Sequence, residues 1–259
     1  MRMAPEEIKA CCAAAYAAPA ARFLLGDSFH PGGAALTSRL GRALAVGPGR
    51  LVVDVASGPG TSALQLARET GCSVVGVDLA PESVAAAGRA AEEAGAADRV
   101  RFLCGDAEAL PLPDAGADGV LCECALCTFP DKRAAVSELA RVLRPGGRLA
   151  LADVVADPPR LPAALTTLQA WIACVADARP LEEIAGLLRD EGFAVEVAER
   201  RDEALAATLD RVEARLGLAA MLGAVAPDAL ARGRELVAAA SGALASGALG
   251  YGVVIARRA

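Results

Sequence analysis

Leu51-Val52-Val53-Asp54-Val55-Ala56-Ser57-Gly58-Pro59-Gly60 carries an apolar run straight into a turn of small residues. The segment 61–70 that follows has helical character, and a second apolar run, 73–78, closes on Asp78. A strand, a glycine-bearing turn, a helix, a second strand and a terminal acid together form a nucleotide-binding half. Asp54 refines that reading. A pyrophosphate has no use for a carboxylate at the mouth of its turn, because two anions would face each other. A ligand carrying cationic groups does.

Outward from this core the pattern stays α/β. Towards the N-terminus, residues 6–25 read as an Ala-rich helix with Pro19 as a break. A Gly-rich loop, 26–33, leads into an amphipathic helix over 34–45, with Leu36, Leu40 and Leu44 four apart. Towards the C-terminus, a helix starts at Pro81 and runs to about 94, strand three is 100–104, and strand four begins at 117 and ends at Cys122 or Glu123. A helix over 132–143, a turn at Arg144-Pro145-Gly146-Gly147 and strand five over 148–153 follow. Residues 161–177 and 180–191 read as helices and 193–198 as strand six. Residues 203–216 and 227–245 read as helices again, and 249–256 as a late strand. Strands alternating with helices predict a parallel sheet covered on both faces. Right-handed crossovers then bring the strand C-termini to one edge, where ligands of such sheets bind. Asp54, Asp78, Asp106 and Cys124 all fall at or just past predicted strand ends. The expected organisation is an N-terminal helical cap at 1–46, a cofactor-binding core at 47–200, and a helical insertion with a final strand at 201–259 completing the same domain.

Composition narrows the partners. The 259 residues are 54% hydrophobic but only 3% aromatic, so the core has to be built from Ala, Val and Leu. A net charge of -6 leaves no basic face for nucleic acid. The apolar runs are short and interrupted by charges, which argues against a membrane span. The N-terminal residues lack a signal-peptide pattern, so a cytoplasmic protein is expected. Eight cysteines in such a chain are expected as thiols rather than as a disulfide scaffold.

The turn at 51–60, Asp78, Gly105-Asp106-Ala107 and Leu139-Ala140-Arg141-Val142-Leu143-Arg144-Pro145-Gly146-Gly147 resemble the ordered signatures of class I S-adenosylmethionine-dependent methyltransferases over about residues 35–200. The resemblance implies a doubly wound, mostly parallel seven-stranded sheet, Rossmann-like, with helical caps, and S-adenosylmethionine as cofactor. It implies that the backbone of Ala56, Ser57, Gly58 and Gly60 packs against the amino-acid part of the cofactor, the two glycines leaving room for it. Asp78, with Leu79 beside it, would take the ribose diol. Asp106 would hold the adenine amino group next to the backbone of Ala107. Asp54 and Glu123 complete the set. Other roles stay open from the residues alone. Asp78 could cap the helix at Pro81, Asp106 could be a turn residue, Asp54 a buried structural acid, and Glu123 a base or a backbone anchor.

The run Cys122-Glu123-Cys124-Ala125-Leu126-Cys127 starts where strand four ends, and a second, Trp171-Ile172-Ala173-Cys174-Val175-Ala176-Asp177-Ala178, follows strand five. Both resemble segments of arsenite methyltransferases, a branch of the same superfamily. The resemblance aligns Cys124 and Cys174 with that branch's two arsenic-binding cysteines, which makes As(III) a substrate at those residues and calls for no structural metal. Glu123 and Cys127 stand where the branch has asparagines, Ala176-Asp177-Ala178 where it has Gly-Gly-Ala, and Cys11 and Cys12 precede Tyr16 instead of following it. Soft thiolates suit a trivalent metalloid, and its lone pair needs no general base. Cys124, Cys174, Cys127, Cys11 and Cys12 are therefore the catalytic candidates. Cys72 and Cys104 read as packing residues, Cys124 and Cys127 also have zinc-ligand spacing, and His30 is the one histidine available as a base. The expected function is methyl transfer to a small molecule or a thiol-bound metalloid such as arsenite. The alternatives are an O-, N- or C-methyltransferase of biosynthesis with incidental cysteines, or a non-catalytic thiol sensor. The oligomeric state is not readable.

Overall fold

The computed structural model describes residues 4–26, 28–167, 170, 174–223 and 225–259. Seven strands form one sheet: β1 Leu51–Val55, β2 Ser73–Asp78, β3 Val100–Cys104, β4 Ala117–Glu123, β5 Leu143–Ala156, β6 Phe193–Arg200 and β7 Leu249–Arg258, in the order β3-β2-β1-β4-β5-β7-β6. β3, β2, β1, β4 and β5 run parallel, and only β7 is antiparallel to its neighbours β5 and β6. This is the doubly wound, mostly parallel sheet expected, with the reversal at β1/β4 that opens a ligand crevice at the strand C-termini.

The period-2 alternation of side chains divides the core. Val52, Val74, Leu121 and Ala150 face one side, where helices α3 (Gly33–Leu44), α4 (Thr61–Thr70) and α5 (Pro81–Glu93) contribute Leu36, Leu40, Leu66 and Ala91. Val53, Val75, Val120 and Leu149 face the other, against Val136 and Leu139 of α6 (Lys132–Val142) and Ile184 and Leu188 of α7 (Leu181–Asp190). At the N-terminus α1 (Pro5–Ala17) and α2 (Pro19–Leu25) break where Pro19 starts a new helix. Two long helices, α8 (Asp202–Met221) and α9 (Pro227–Ala245), pack on each other and on β7 over the first face.

Two expectations need correction. Of the helix expected over 161–177, residues 161–167 and 174–177 are not α-helical, while Ala170 is. Pro158–Arg160 and Ala163–Thr166 form 3-10 turns, punctuated by Pro158, Pro159 and Pro162, and residues 168–169 and 171–173 lie outside the described residues. Strand five is longer than 148–153. The Arg144–Gly147 turn bulges out of the ladder, whose register jumps from Ala117↔Leu143 to Gly119↔Arg148. Among the described residues no single helix is long and apolar enough to cross a membrane.

Candidate active site

The β1–α4 turn, the ends of β2, β3 and β4, and the inner face of α1 enclose a cleft. Asp54, Ala56, Ser57, Gly58, Asp78, Leu79, Asp106, Ala107 and Glu123 all line it. The turn is shaped by backbone in the left-handed region at Ala56 (φ 57°), Gly58 (φ 52°) and Gly60 (φ 83°). Only glycine adopts that region without strain. The two glycines do different jobs. A Cβ on Gly58 would meet nothing within 4 Å, so the position is open towards the cleft. Gly60 does not line the cleft. A Cβ there would sit 2.5 Å from Phe102 Cζ and 2.9 Å from Ala87 Cβ, so this glycine makes room for core packing and not for a ligand, which corrects the sequence expectation.

The acids are held at different degrees of readiness. Asp78 Oδ2 accepts the Gly58 N–H at 2.8 Å and Oδ1 the Ala80 N–H at 2.9 Å. It therefore ties the turn to the start of α5 while keeping further lone pairs on both oxygens. Asp54 is 2% exposed and its Oδ2 has no hydrogen-bond partner. Burial, then the negative charges of Glu123 and Asp78, push its carboxyl well above the ordinary carboxylate range, against a bond from the Ala63 backbone N–H. The Ser57 hydroxyl beside it is likewise buried and unpartnered. Unpaired buried polar atoms are costly, and both residues line the cleft. A cationic ligand with hydrogen-bond donors would satisfy both, so the donor set fits S-adenosylmethionine. At the far end Asp106 Oδ1 accepts the Glu108 N–H at 2.9 Å, and Oδ2 lies 2.7 Å from Lys9 Nζ, which also reaches Glu108 at 2.5 Å. Lys9, on α1, went unremarked in the sequence, where nothing distinguishes it from a solvated lysine.

Glu123 sits in a network. Ser62 donates to its Oε2 at 2.6 Å, Thr37 donates to both oxygens at 3.1 and 3.2 Å, and His30 Nε2 lies 3.4 Å from Oε2. His30 Nδ1 donates to the Pro31 carbonyl at 3.2 Å, so local partners fix both ring nitrogens.

Next along the chain, four cysteines gather. Cys124 is held at φ 54° by its N–H bond to the Ala152 carbonyl (2.6 Å), and Cys174 at φ 65°. Cys174 Sγ lies 3.6 Å from the Cys124 carbonyl oxygen and 3.0 Å from the Tyr16 hydroxyl, and Cys124, Cys127 and Cys174 are close enough to shift one another's titration. Bonds from Cys124 and Cys127, then Tyr16 and the charge of Lys132, hold Cys174 well below the ordinary thiol range despite its burial. Burial and its bonds to the other two push Cys127 up. Cys12 is pushed up to about 11 by burial and by the charges of Cys174 and Cys11. Cys174 is therefore the most acidic thiol of the cluster. Cys11, half-buried, lines neither this cleft nor the adjoining cavity, so of the two N-terminal candidates only Cys12 borders the cleft. Lys132 closes the floor by bonding the Cys127 and Phe129 carbonyls and pairing with Asp177. Asp153 accepts the Cys127 N–H at 3.1 Å, and burial with the Cys174 charge pushes it up to about 7. The sequence signal for Asp153 is an acid inside the apolar, buried run of β5. Among the described residues no group of three or more His, Cys, Asp or Glu meets the requirements of a metal-ion site, and Cys72 is buried while Cys104 is exposed.

Comparison with known proteins defines the class. Residues 53–151 match the methyltransferase domain family. The same overall fold recurs in a phosphoethanolamine N-methyltransferase of Haemonchus contortus solved with S-adenosylmethionine (20% identity, TM-score 0.79, covering 92% of this chain and 56% of that one). Residues 53–151 thus make up a methyltransferase domain, and the donor set around Asp54, Asp78 and Asp106 fits S-adenosylmethionine. Among curated relatives it is 34% identical over 157 residues to the arsenite methyltransferase of Halobacterium salinarum (60% of this chain, 40% of that protein). It is 36% identical over 166 residues to the 27-O-demethylrifamycin SV methyltransferase of Amycolatopsis mediterranei (63% and 61%). The match spans less than two thirds of either relative. A [4+2]-cyclase, SpnF, shares the fold at 25% identity and TM-score 0.73 (87% and 81% covered), so the scaffold alone does not fix the chemistry.

Proposed function

We propose that this protein transfers the methyl group of S-adenosylmethionine to a small acceptor bound by thiols, a trivalent metalloid such as arsenite before others. The observation that carries the reading is that Cys174 meets Cys124 at the end of β4, Sγ 3.6 Å from the Cys124 carbonyl oxygen, with Cys124 and Cys12 also bordering the cofactor cleft. When bound, the cofactor supplies a methyl group on a sulfonium, which departs as a neutral thioether. The chain's residues do the rest. Asp54, Ser57 and Glu123 face the cationic amino-acid end, the backbone of Ala56–Gly58 packs on it, Asp78 and Leu79 take the ribose, and Asp106 with Ala107 the adenine. Cys174, whose thiol is held well below the ordinary range, is the sulfur that starts ligand exchange on the acceptor. Thiolate ligation fixes the acceptor's lone pair in one place, and in an in-line displacement positioning is the dominant contribution. A reducing, cytoplasmic setting keeps such a cluster in its thiol form.

The test is to incubate the reduced protein with labelled S-adenosylmethionine and arsenite and to measure methylated arsenic. Wild type is expected to turn over, and Cys124→Ser and Cys174→Ser to lose at least about a hundredfold while still binding the cofactor. Full activity in both variants overturns the metalloid reading. A second reading, an O- or C-methyltransferase of an apolar metabolite, is favoured by one observation, a largely apolar cavity of about 400 Å³ that shares Tyr16, Phe29 and Cys124 with the cofactor cleft. Turnover with apolar hydroxylated acceptors but not with arsenite would select it.

A further inference from the structure

Glu123 ends β4 as a buried carboxylate, and three elements bring it polar partners: His30 from the loop before α3, Thr37 from α3 and Ser62 from the first turn of α4. Its side chain is 4% exposed, and His30 and Thr37 are buried. Three apolar side chains would fill the same space at lower cost, since a buried charge loses its hydration and recovers it only through good partners. Glu123, His30 and Ser62 also line the cofactor cleft, while Thr37 does not.

The protons in this group can be counted. The Pro31 carbonyl only accepts, so His30 Nδ1 carries the ring proton and Nε2 of the neutral ring is an acceptor. Ser62 Oγ is 2.6 Å from Glu123 Oε2 and 3.5 Å from His30 Nε2, so its one proton goes to the carboxylate. Thr37 Oγ1 stands 3.1 Å from Glu123 Oε1 and 3.2 Å from His30 Nε2, and its one proton serves either but not both. Three acceptor atoms therefore share two protons. Whichever way Thr37 turns, one buried acceptor is left bare, and such an atom is costly. The deficit lies beside a cleft whose other deeply buried acid, Asp54, also has an oxygen without a partner. A ligand that donates from the cleft to Oε1 closes it, because Thr37 can then turn to Nε2.

Resting on the reading of this cleft as the S-adenosylmethionine site, we propose that Glu123 Oε1 receives the cofactor's ammonium and that His30, Thr37 and Ser62 are positioning residues for it. Ser62 pins Oε2, and the Thr37 hydroxyl turns from Oε1 to His30 Nε2 as the ammonium arrives. Only hydrogen bonds change, and every proton stays on its own heavy atom.

The probes are S-adenosylhomocysteine, which carries the ammonium, and 5′-methylthioadenosine, which lacks the whole amino-acid part, each titrated calorimetrically into the reduced protein. Glu123→Gln is expected to weaken S-adenosylhomocysteine by at least about tenfold, Ser62→Ala and His30→Phe by about fivefold each, and all three to leave 5′-methylthioadenosine within about twofold. Ser62 is half-buried, and its variant serves where His30→Phe does not fold. The turning hydroxyl has its own signature. In a Thr37→Val background nothing is left to turn, so adding His30→Phe should change S-adenosylhomocysteine affinity by less than about twofold. Equal losses on the two probes would mean that these residues only shape the cleft, and overturn the inference. So does the absence of any loss, or a full His30→Phe effect in the Thr37→Val background. Tighter S-adenosylhomocysteine binding in His30→Phe also overturns it, since an imidazolium would then have supplied the third proton and repelled the ammonium. If wild type binds neither probe, the reading of the cleft as a cofactor site falls, a result distinct from loss of the inference alone.

Discussion

The cofactor cleft and the thiol cavity meet at Tyr16, Phe29 and Cys124, yet they are built on opposite principles. The cleft is acid-lined, and apart from its α1 lid, the 28–30 loop and the 123–129 segment it comes from one stretch, residues 54–107, whose turns are tied by backbone N–H bonds to Asp78. It holds about 140 Å³ of free space against about 400 Å³ in the cavity. The cavity is soft and apolar, and it converges from α1, α2, the 124 and 174 turns and two C-terminal helices. Continuous segments with local hydrogen bonds keep their geometry when the acceptor changes. Convergent walls of hydrocarbon can be repacked at little cost, so acceptor choice belongs to the second region and the methyl donor to the first.

The strongest way to break this separation is Asp54→Asn. Removing the buried carboxylate is expected to weaken S-adenosylmethionine by about a hundredfold in calorimetry and to leave thiol alkylation unchanged. A matching loss of thiol reactivity would mean that the regions are one site. The same variant carries a pH signature. The Asp54 carboxyl is pushed up in the fold, so above the unfolded carboxylate range the unfolded chain releases a proton that the native state still holds. Native stability therefore falls as pH rises from about 4 towards the folded pKa. Asparagine has no such dependence. Urea midpoints at pH 4 and pH 8 should show the variant gaining on wild type with rising pH, by about 1 kcal/mol or more.

A smaller effect tests the thiol side. The Cys174 thiolate should contribute a 240 nm absorbance at pH 7 that Cys174→Ser lacks. Tyr16→Phe removes one of its donors and is expected to raise the titration midpoint by about one pKa unit. Cofactor affinity should stay within about threefold in Cys174→Ser, since that thiol does not line the cleft.

What could be read from the sequence follows the same division. α4, β2 and β3 fall on the residues expected from periodicity and from the turn at 56–60, because each is bounded by local signals such as Gly71 and the acid that ends its strand. Residues 161–167 and 174–177 depart from the expected helix, because Pro162, following Pro158 and Pro159, breaks a segment whose Ala and Leu content alone favours one. That Cys124 and Cys174 meet was suggested only by resemblance, since no local pattern encodes a contact across 50 residues. Lys9, Thr37 and Lys132 give no local signal strong enough to set them apart, because their roles arise from what tertiary packing brings beside them. Gly60 looked like a ligand-side glycine because sequence cannot reveal that Phe102 lies beneath it.

The smallest expected effect sharpens the comparison most, because it concerns the one helix that borders both regions. α1 sends Lys9 to the Asp106 end of the cleft and Tyr16 to the thiolate, and Ala15 lines the cavity. The Lys9 ammonium occupies an Asp106 oxygen that the adenine amino group would use, so it competes with the cofactor while it also pins α1 down. If competition dominates, Lys9→Ala frees Asp106 and S-adenosylmethionine binds about threefold more tightly, with the Cys174 titration unmoved. If pinning dominates, α1 loosens, cofactor affinity falls, and the Cys174 midpoint rises because Tyr16 is carried away with the helix. Lys9 is largely covered and paired to two carboxylates at 2.7 and 2.5 Å, while Tyr16 is separately anchored by packing against Phe29 at a centroid distance of 6.3 Å. That second anchor keeps the helix in place without the lysine. The expected result is therefore tighter cofactor binding and an unchanged thiolate titration, measured by calorimetry and 240 nm absorbance on the same variant.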